Sequence, residues 1–76
     1  MERTLRDILQ KLSDFKVCKN CSRINWYENE SCIECGNNEF DKREEAVKEA
    51  LEKEYDYWIN IEKYSEEEAD NVIVEV

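Results

Sequence analysis

The chain has 76 residues, 41% of them charged, one glycine, no proline and a formal net charge of −9. That length leaves room for a single domain, residues 1–76, and no run approaches the ~20 apolar residues of a membrane span. Eight aromatics and regularly spaced aliphatics exclude a disordered linker. A core this small supplies only about 3–5 kcal/mol, so a metal, disulfides or a partner is expected to complete the fold.

Residues 2–15 place Leu5, Ile8, Leu9, Leu12 and Phe15 at offsets 0, 3, 4, 7 and 10. That spacing predicts an N-terminal helix over 2–15 with one apolar stripe against the rest of the fold. The N-terminus, Met1 to Asp7, is charged and lacks a secretory signal. The chain is therefore expected inside the cell, in the cytoplasm or a nucleus, where thiols stay reduced.

The next segment, 17–40, carries the four cysteines in the pattern Cys18-Lys-Asn-Cys21, ten residues, Cys32-Ile-Glu-Cys35-Gly36. A pair separated by two residues lets one tight turn aim both sulfurs at a common point, with backbone amides donating to them. The residue after each second cysteine needs a positive φ, which suits Gly36 and suits Ser22 less well. Two such turns face to face give a tetrahedral four-sulfur site, and one structural zinc ion held by Cys18, Cys21, Cys32 and Cys35 is the expected occupant. Iron is the competing metal for a four-thiolate site. Disulfides and a redox dithiol fit the intracellular setting and the short chain less well.

A capping box of Asp41 with Glu44 predicts a second helix over 41–56, with Val47, Ala50, Leu51 and Tyr55 as its apolar stripe and Trp58 following it. The segment 57–76 is acidic. Within it Tyr57–Ile61 and Val72–Val76 alternate as strands do, and Ser65 with Glu68 could cap one helical turn between them. The competing reading of 57–61 continues the helix to Ile61. The fold class is α+β: a small zinc-finger domain of knuckle hairpins, flanked by two helices and followed by one or two short C-terminal strands.

No enzyme is expected. Four thiolates close the metal shell, the chain has no histidine, and Ser13, Ser22, Ser31 and Ser65 have no base to activate them. Glu28, Glu30 and Glu34 are read as solvated turn residues.

The stretch from Val17 to Phe40 resembles the Ran-binding-protein type of short four-cysteine zinc finger and, more loosely, zinc ribbons. Cys18, Cys21, Asn25, Cys32 and Cys35 match its pattern, and Asn25-Trp26 is similar to the Asn-aromatic pair of its RNA-binding members. The resemblance implies crossed hairpins around zinc, with the Asn side chain bracing the loop. It also locates three departures. Lys16 stands where such fingers carry a tryptophan, Glu28 and Asn29 where the RNA readers carry arginines, and Ser22-Arg23 where the ubiquitin readers carry Thr-Phe.

Charge divides the chain. Residues 1–40 hold six basic and seven acidic side chains, and 41–76 hold five and thirteen, for −8. The second half should repel nucleic acid and anionic membranes and attract a basic protein surface; the plainer reading is a solvated helix face. The expected function is a protein-protein interaction module, a small regulator or adaptor acting on a basic or nucleic-acid-binding partner, with Arg23, Trp26 and Tyr27 as contact residues. Two alternatives stand beside it. One is single-stranded nucleic-acid binding through the basic residues of 1–23 with Trp26 and Tyr27 as stacking faces, which the overall charge disfavours. The other is a structural subunit of a larger assembly.

Overall fold

A computed structural model describes all 76 residues. The chain opens not in a helix but in a strand, β1 (Glu2–Thr4), followed by a shorter helix α1 (Leu5–Gln10) and a 3-10 turn over Leu12–Asp14. Thr4 is the reason for the boundary: its hydroxyl accepts from the Asp7 backbone N–H at 3.1 Å, the cap that starts α1. Phe15, the last residue of the expected helical stripe, begins strand β2 (Phe15–Cys18), and all four residues of that strand are buried. Leu5, Ile8 and Phe15 thus all reach the core, but Phe15 arrives there from a strand.

Strand β2 is the centre of a three-stranded antiparallel sheet, with β3 (Ile24–Trp26) on one side and β4 (Phe40–Asp41) on the other. Lys16 lies opposite Asn25, and Cys18 opposite Phe40. Because Asp41 belongs to β4, it cannot cap the second helix. Its carboxylate instead grips Arg43 at 2.7 Å, and α2 (Glu44–Asp56) starts three residues later than expected, with no side-chain cap. Val47 and Leu51 of α2 are buried against β2 and α1, with Ala50, Tyr55 and Trp58 packed at the margin.

Residues Tyr57–Ile61 are not a strand. The helix runs on through them as a π turn, the Glu62 N–H reaching the Tyr57 carbonyl at 3.2 Å, so the apolar alternation is used by a widened helical turn. Lys63 then takes a left-handed φ of 62° and turns the chain. Ser65 and Glu68 form the expected capping box of a short helix α3 (Glu66–Asp70). Strand β5 (Ile73–Glu75) pairs antiparallel with β1, Arg3 opposite Val74, and so finds its partner at the other end of the chain. Val74 and Val76 turn inward while Ile73 and Glu75 face out, as the valine alternation predicts. The Trp26 N–H donates to the Val76 carbonyl at 3.0 Å and links the two small sheets.

The result is an α+β fold with one hydrophobic cluster of Leu5, Ile8, Phe15, Val17, Ile24, Val47, Leu51 and Val76. No helix is long and apolar enough to cross a membrane.

Candidate metal centre

The two cysteine turns are built alike. In the first, Cys18 ends β2, the Ser22 N–H returns to the Cys18 carbonyl at 2.9 Å, and the Cys18 N–H donates to the Arg23 carbonyl at 2.9 Å. In the second, the Gly36 N–H returns to the Cys32 carbonyl at 2.9 Å and the Cys32 N–H donates to the Asn37 carbonyl at 2.7 Å. The residue after the second cysteine is left-handed in both, Ser22 at φ 64° and Gly36 at φ 77°. The same chain path is therefore made twice, once with glycine and once with a serine that bears the cost of a Cβ in that region.

The turns bring all four sulfurs within 4.8 Å of one another. Cys18 Sγ lies 3.5 Å from Cys35 Sγ, and Cys21 Sγ lies 3.5 Å from Cys32 Sγ. A disulfide would need about 2.05 Å, and all four cysteines are free. A tetrahedral ion with metal–sulfur bonds of about 2.3 Å spaces its ligands about 3.8 Å apart, so the sulfurs already stand near the edges of such a tetrahedron. The Asn20 and Cys21 amides point at Cys18 Sγ from 3.4 and 3.5 Å, as donors that offset thiolate charge. The cluster is arranged to hold a metal ion.

The protonation of the free thiols shows what the ion would relieve. Cys32 is lowered to about 6: burial pushes it up, but the backbone N–H groups of Cys35 and Glu34 and the Asn25 amide outweigh that. Cys35 is lowered as well, chiefly by the Asn37 backbone N–H. Cys21 feels the downward pull of the Arg23 backbone N–H, yet burial and the neighbouring sulfurs drive it up to about 12. Four thiolates this close cannot coexist without a cation among them.

Asn25 holds the two turns together. It is fully buried. Its Nδ2 donates to the Arg23 carbonyl at 3.1 Å and to Cys32 Sγ at 3.6 Å, and its Oδ1 accepts from the Ile33 N–H at 3.1 Å and from Asn29 Nδ2 at 3.2 Å. This is the loop-bracing role that the resemblance implies for that position. Lys16, where similar fingers carry a tryptophan, is buried too. Its ammonium donates to the Asn29 carbonyl and sits 3.9 Å over the Phe40 ring, so it holds the same loop residue that Asn25 contacts.

The three expected contact residues differ in how far the fold already engages them. Trp26 is half-buried, packed edge-on against Phe15 at 5.6 Å with the Arg3 guanidinium 5.7 Å over its ring. Arg23 is engaged by Glu34 at 3.4 Å and by the Glu75 carbonyl at 3.1 Å. Of the three only Tyr27 faces out, half exposed beside Trp26. Two structural residues escaped the sequence reading: Lys16 in its buried role, and Asn29, which reaches the Val76 carbonyl. A lysine inside the apolar strand run Phe15–Val17 was the available signal for the first; nothing local marked the second. Among known proteins, no family model, curated sequence or solved structure matches the chain.

Proposed function

We propose that the bound ion is zinc, that its role is structural, and that the protein is a small regulator or adaptor acting on a protein with a basic or nucleic-acid-binding surface. The sulfur-only donor set and closed tetrahedral spacing support zinc. A shell closed by four thiolates leaves no position for a reacting water, which supports a binding role over catalysis. The Asn25 brace supports a finger of the Ran-binding-protein type, here extended by β4 into a three-stranded sheet.

One observation carries the choice of partner. Residues 44–70 hold eleven carboxylates and three lysines. The two ion pairs of the chain, Arg23–Glu34 and Arg43–Asp41, both lie outside that stretch. The net charge of −8 on that stretch is therefore not neutralised by close ion pairs and is available to a cationic surface. The competing nucleic-acid reading loses support because Trp26 and Arg23 are already engaged within the fold. The body measures 34 × 22 × 21 Å, so no face lies more than a few screening lengths of about 8–10 Å from the acidic helices.

Elemental analysis of protein purified without added metal should return one zinc per chain; iron would overturn the metal assignment. Affinity capture from nuclease-treated lysate at about 50 mM salt, where charge attraction is little screened, should retain protein partners that high salt releases. Retention of nucleic acid alone, lost on nuclease treatment, would favour the competing reading.

A further inference from the structure

The apolar stripe of α1 is only partly used. Leu5 and Ile8 are buried, but Leu9 remains 45% exposed. It stands at the edge of a groove of about 840 Å³ between α1, α2 and α3, whose apolar lining is Leu9, Leu51, Tyr55 and Ile59. Five carboxylates rim it, those of Glu49, Glu52, Asp56, Glu66 and Asp70. Lys48 and Lys53 also line it, and Arg6 approaches Tyr55 from α1. None of the five acids is ion-paired within the chain. Asp70 accepts from the Tyr55 hydroxyl and Asp56 from the Asn60 amide, both neutral donors that leave the charge in place.

An apolar floor inside an anionic rim selects its occupant by chemistry. Phosphates are repelled by the rim, and an uncharged apolar segment would leave five carboxylates facing it. What satisfies both is a segment with apolar anchors on one face and cations flanking them. The stretch of α2 from Lys48 to Asp56 forms the long wall, about 12 Å at 1.5 Å per residue, which matches two to three turns of a helix laid alongside it. We propose that this groove receives a basic amphipathic helix of a partner protein, its aliphatic residues at i, i+3 or i+4 and i+7 seated on Leu9 and Ile59 and its Lys and Arg side chains meeting Glu52, Asp56 and Glu66. The inference rests on the reading that the protein acts on a basic partner, and gives that contact a location away from the metal centre.

The probe is a labelled Leu/Lys peptide of about 16 residues with helical amphipathic spacing, titrated with the zinc-loaded full chain and read by fluorescence anisotropy. Its controls are the same composition scrambled and a Leu/Glu version. The amphipathic basic peptide should bind in the micromolar range, weaken as salt rises, and lose roughly tenfold in affinity for Leu9→Gln and again for the double variant Glu52→Lys/Glu66→Lys. Both variants change exposed side chains, and circular dichroism with zinc content verifies that they fold. Should Leu9→Gln disturb α1, the double variant decides alone. Equal binding of the scrambled peptide, undiminished binding by the double variant, or self-association through Leu9 in place of peptide binding would each overturn the groove assignment. The double variant capturing the same lysate proteins as wild type overturns the groove but leaves the adaptor reading standing; a wild type that captures nothing overturns both.

Discussion

Asn25 and Cys32, seven residues apart in the chain, meet through an Nδ2 to Sγ contact of 3.6 Å, while the same amide's oxygen holds the backbone N–H that follows Cys32. One fully buried side chain thus ties the β2–β3 hairpin to the second cysteine turn. Asn25→Ala would strand the Ile33 N–H and remove one of the two acceptors of the Asn29 amide, which keeps the Val76 carbonyl. A loss of about 2–3 kcal/mol in urea unfolding is expected, since buried donors left unpaired cost about 1–3 kcal/mol each. Metal affinity should fall by roughly 10- to 100-fold, as for other residues that orient ligands, measured by competition with a chromophoric chelator. Asn25→Asp should be worse than Asn25→Ala for metal binding, because it sets a carboxylate beside the thiolate cluster. An aspartate variant that matched wild-type affinity would refute the bracing role.

Removing the ion should unfold more than the cysteine turns. Cys18 ends β2, whose Phe15 and Val17 are part of the single hydrophobic cluster. With four unscreened sulfurs, and with metal binding coupled to folding, chelator treatment should abolish the cooperative thermal transition and expose amides of β2, β3 and α2 together in hydrogen exchange. Protection surviving in α2 after zinc loss would show that the helices have an independent core. Acid should act in the same direction, because the ligands must be deprotonated to hold the metal.

The two left-handed positions predict opposite responses. Ser22→Gly should stabilise by about 0.5–1 kcal/mol, since φ 64° is unfavourable for a residue with a Cβ. Gly36→Ala should destabilise by about 1 kcal/mol through the same backbone cost; a Cβ there meets nothing within 4 Å, so no clash is added. Chemical denaturation of the two zinc-loaded variants gives both signs. If alanine at 36 cost several times more, metal geometry rather than backbone strain would be the controlling factor.

The Tyr55 hydroxyl donates to Asp70 Oδ1 at 2.5 Å, and burial together with that carboxylate raises the phenol above its ordinary value. The sign follows from the raised folded-state value. Below the unfolded-state value of about 10, both states keep the proton and the hydrogen bond contributes in full. As pH rises through that value the unfolded chain loses its proton first, and the contribution declines. Tyr55→Phe should therefore cost about 1–1.5 kcal/mol at neutral pH, with the gap to wild type constant up to about pH 10 and narrowing above it. A gap that widened with alkalinity would contradict the assigned hydrogen bond.

Much of the metal centre was legible because its determinants are local. Two-residue spacing between cysteines dictates the turn, and the turn dictates the left-handed residue, so Ser22 and Gly36 could be read without knowing the fold. Asn25 was legible through its place in the motif. The helical stripe of 2–15 misled because Leu5, Ile8 and Phe15 satisfy a helix and a helix-turn-strand equally well, and the deciding contact, Thr4 with Asp7, is a cap that the apolar pattern does not register. Leu9, on the same stripe, is the residue whose exposure the pattern could not reveal. Asp41 looked like a cap until β4 claimed its backbone. Tyr57–Ile61 alternates as a strand would, but no neighbouring strand receives it, and the preceding helix extends through it. The partner of β5 lay at the far end of the sequence, where no local signal points.

That pairing also orders the assembly of the fold. Lys16 and Asn25, facing each other across β2 and β3, are nine residues apart, whereas Arg3 and Val74 are separated by 71. Closing the larger loop costs about 1.8 kcal/mol more in chain entropy than closing the smaller. The cysteine hairpin can therefore form early and on its own terms, and the β1–β5 ladder is the seam that closes last. When it parts, the Trp26 backbone N–H loses its Val76 partner and Val76 leaves the core cluster, so opening at that seam should be visible as a change in tryptophan fluorescence.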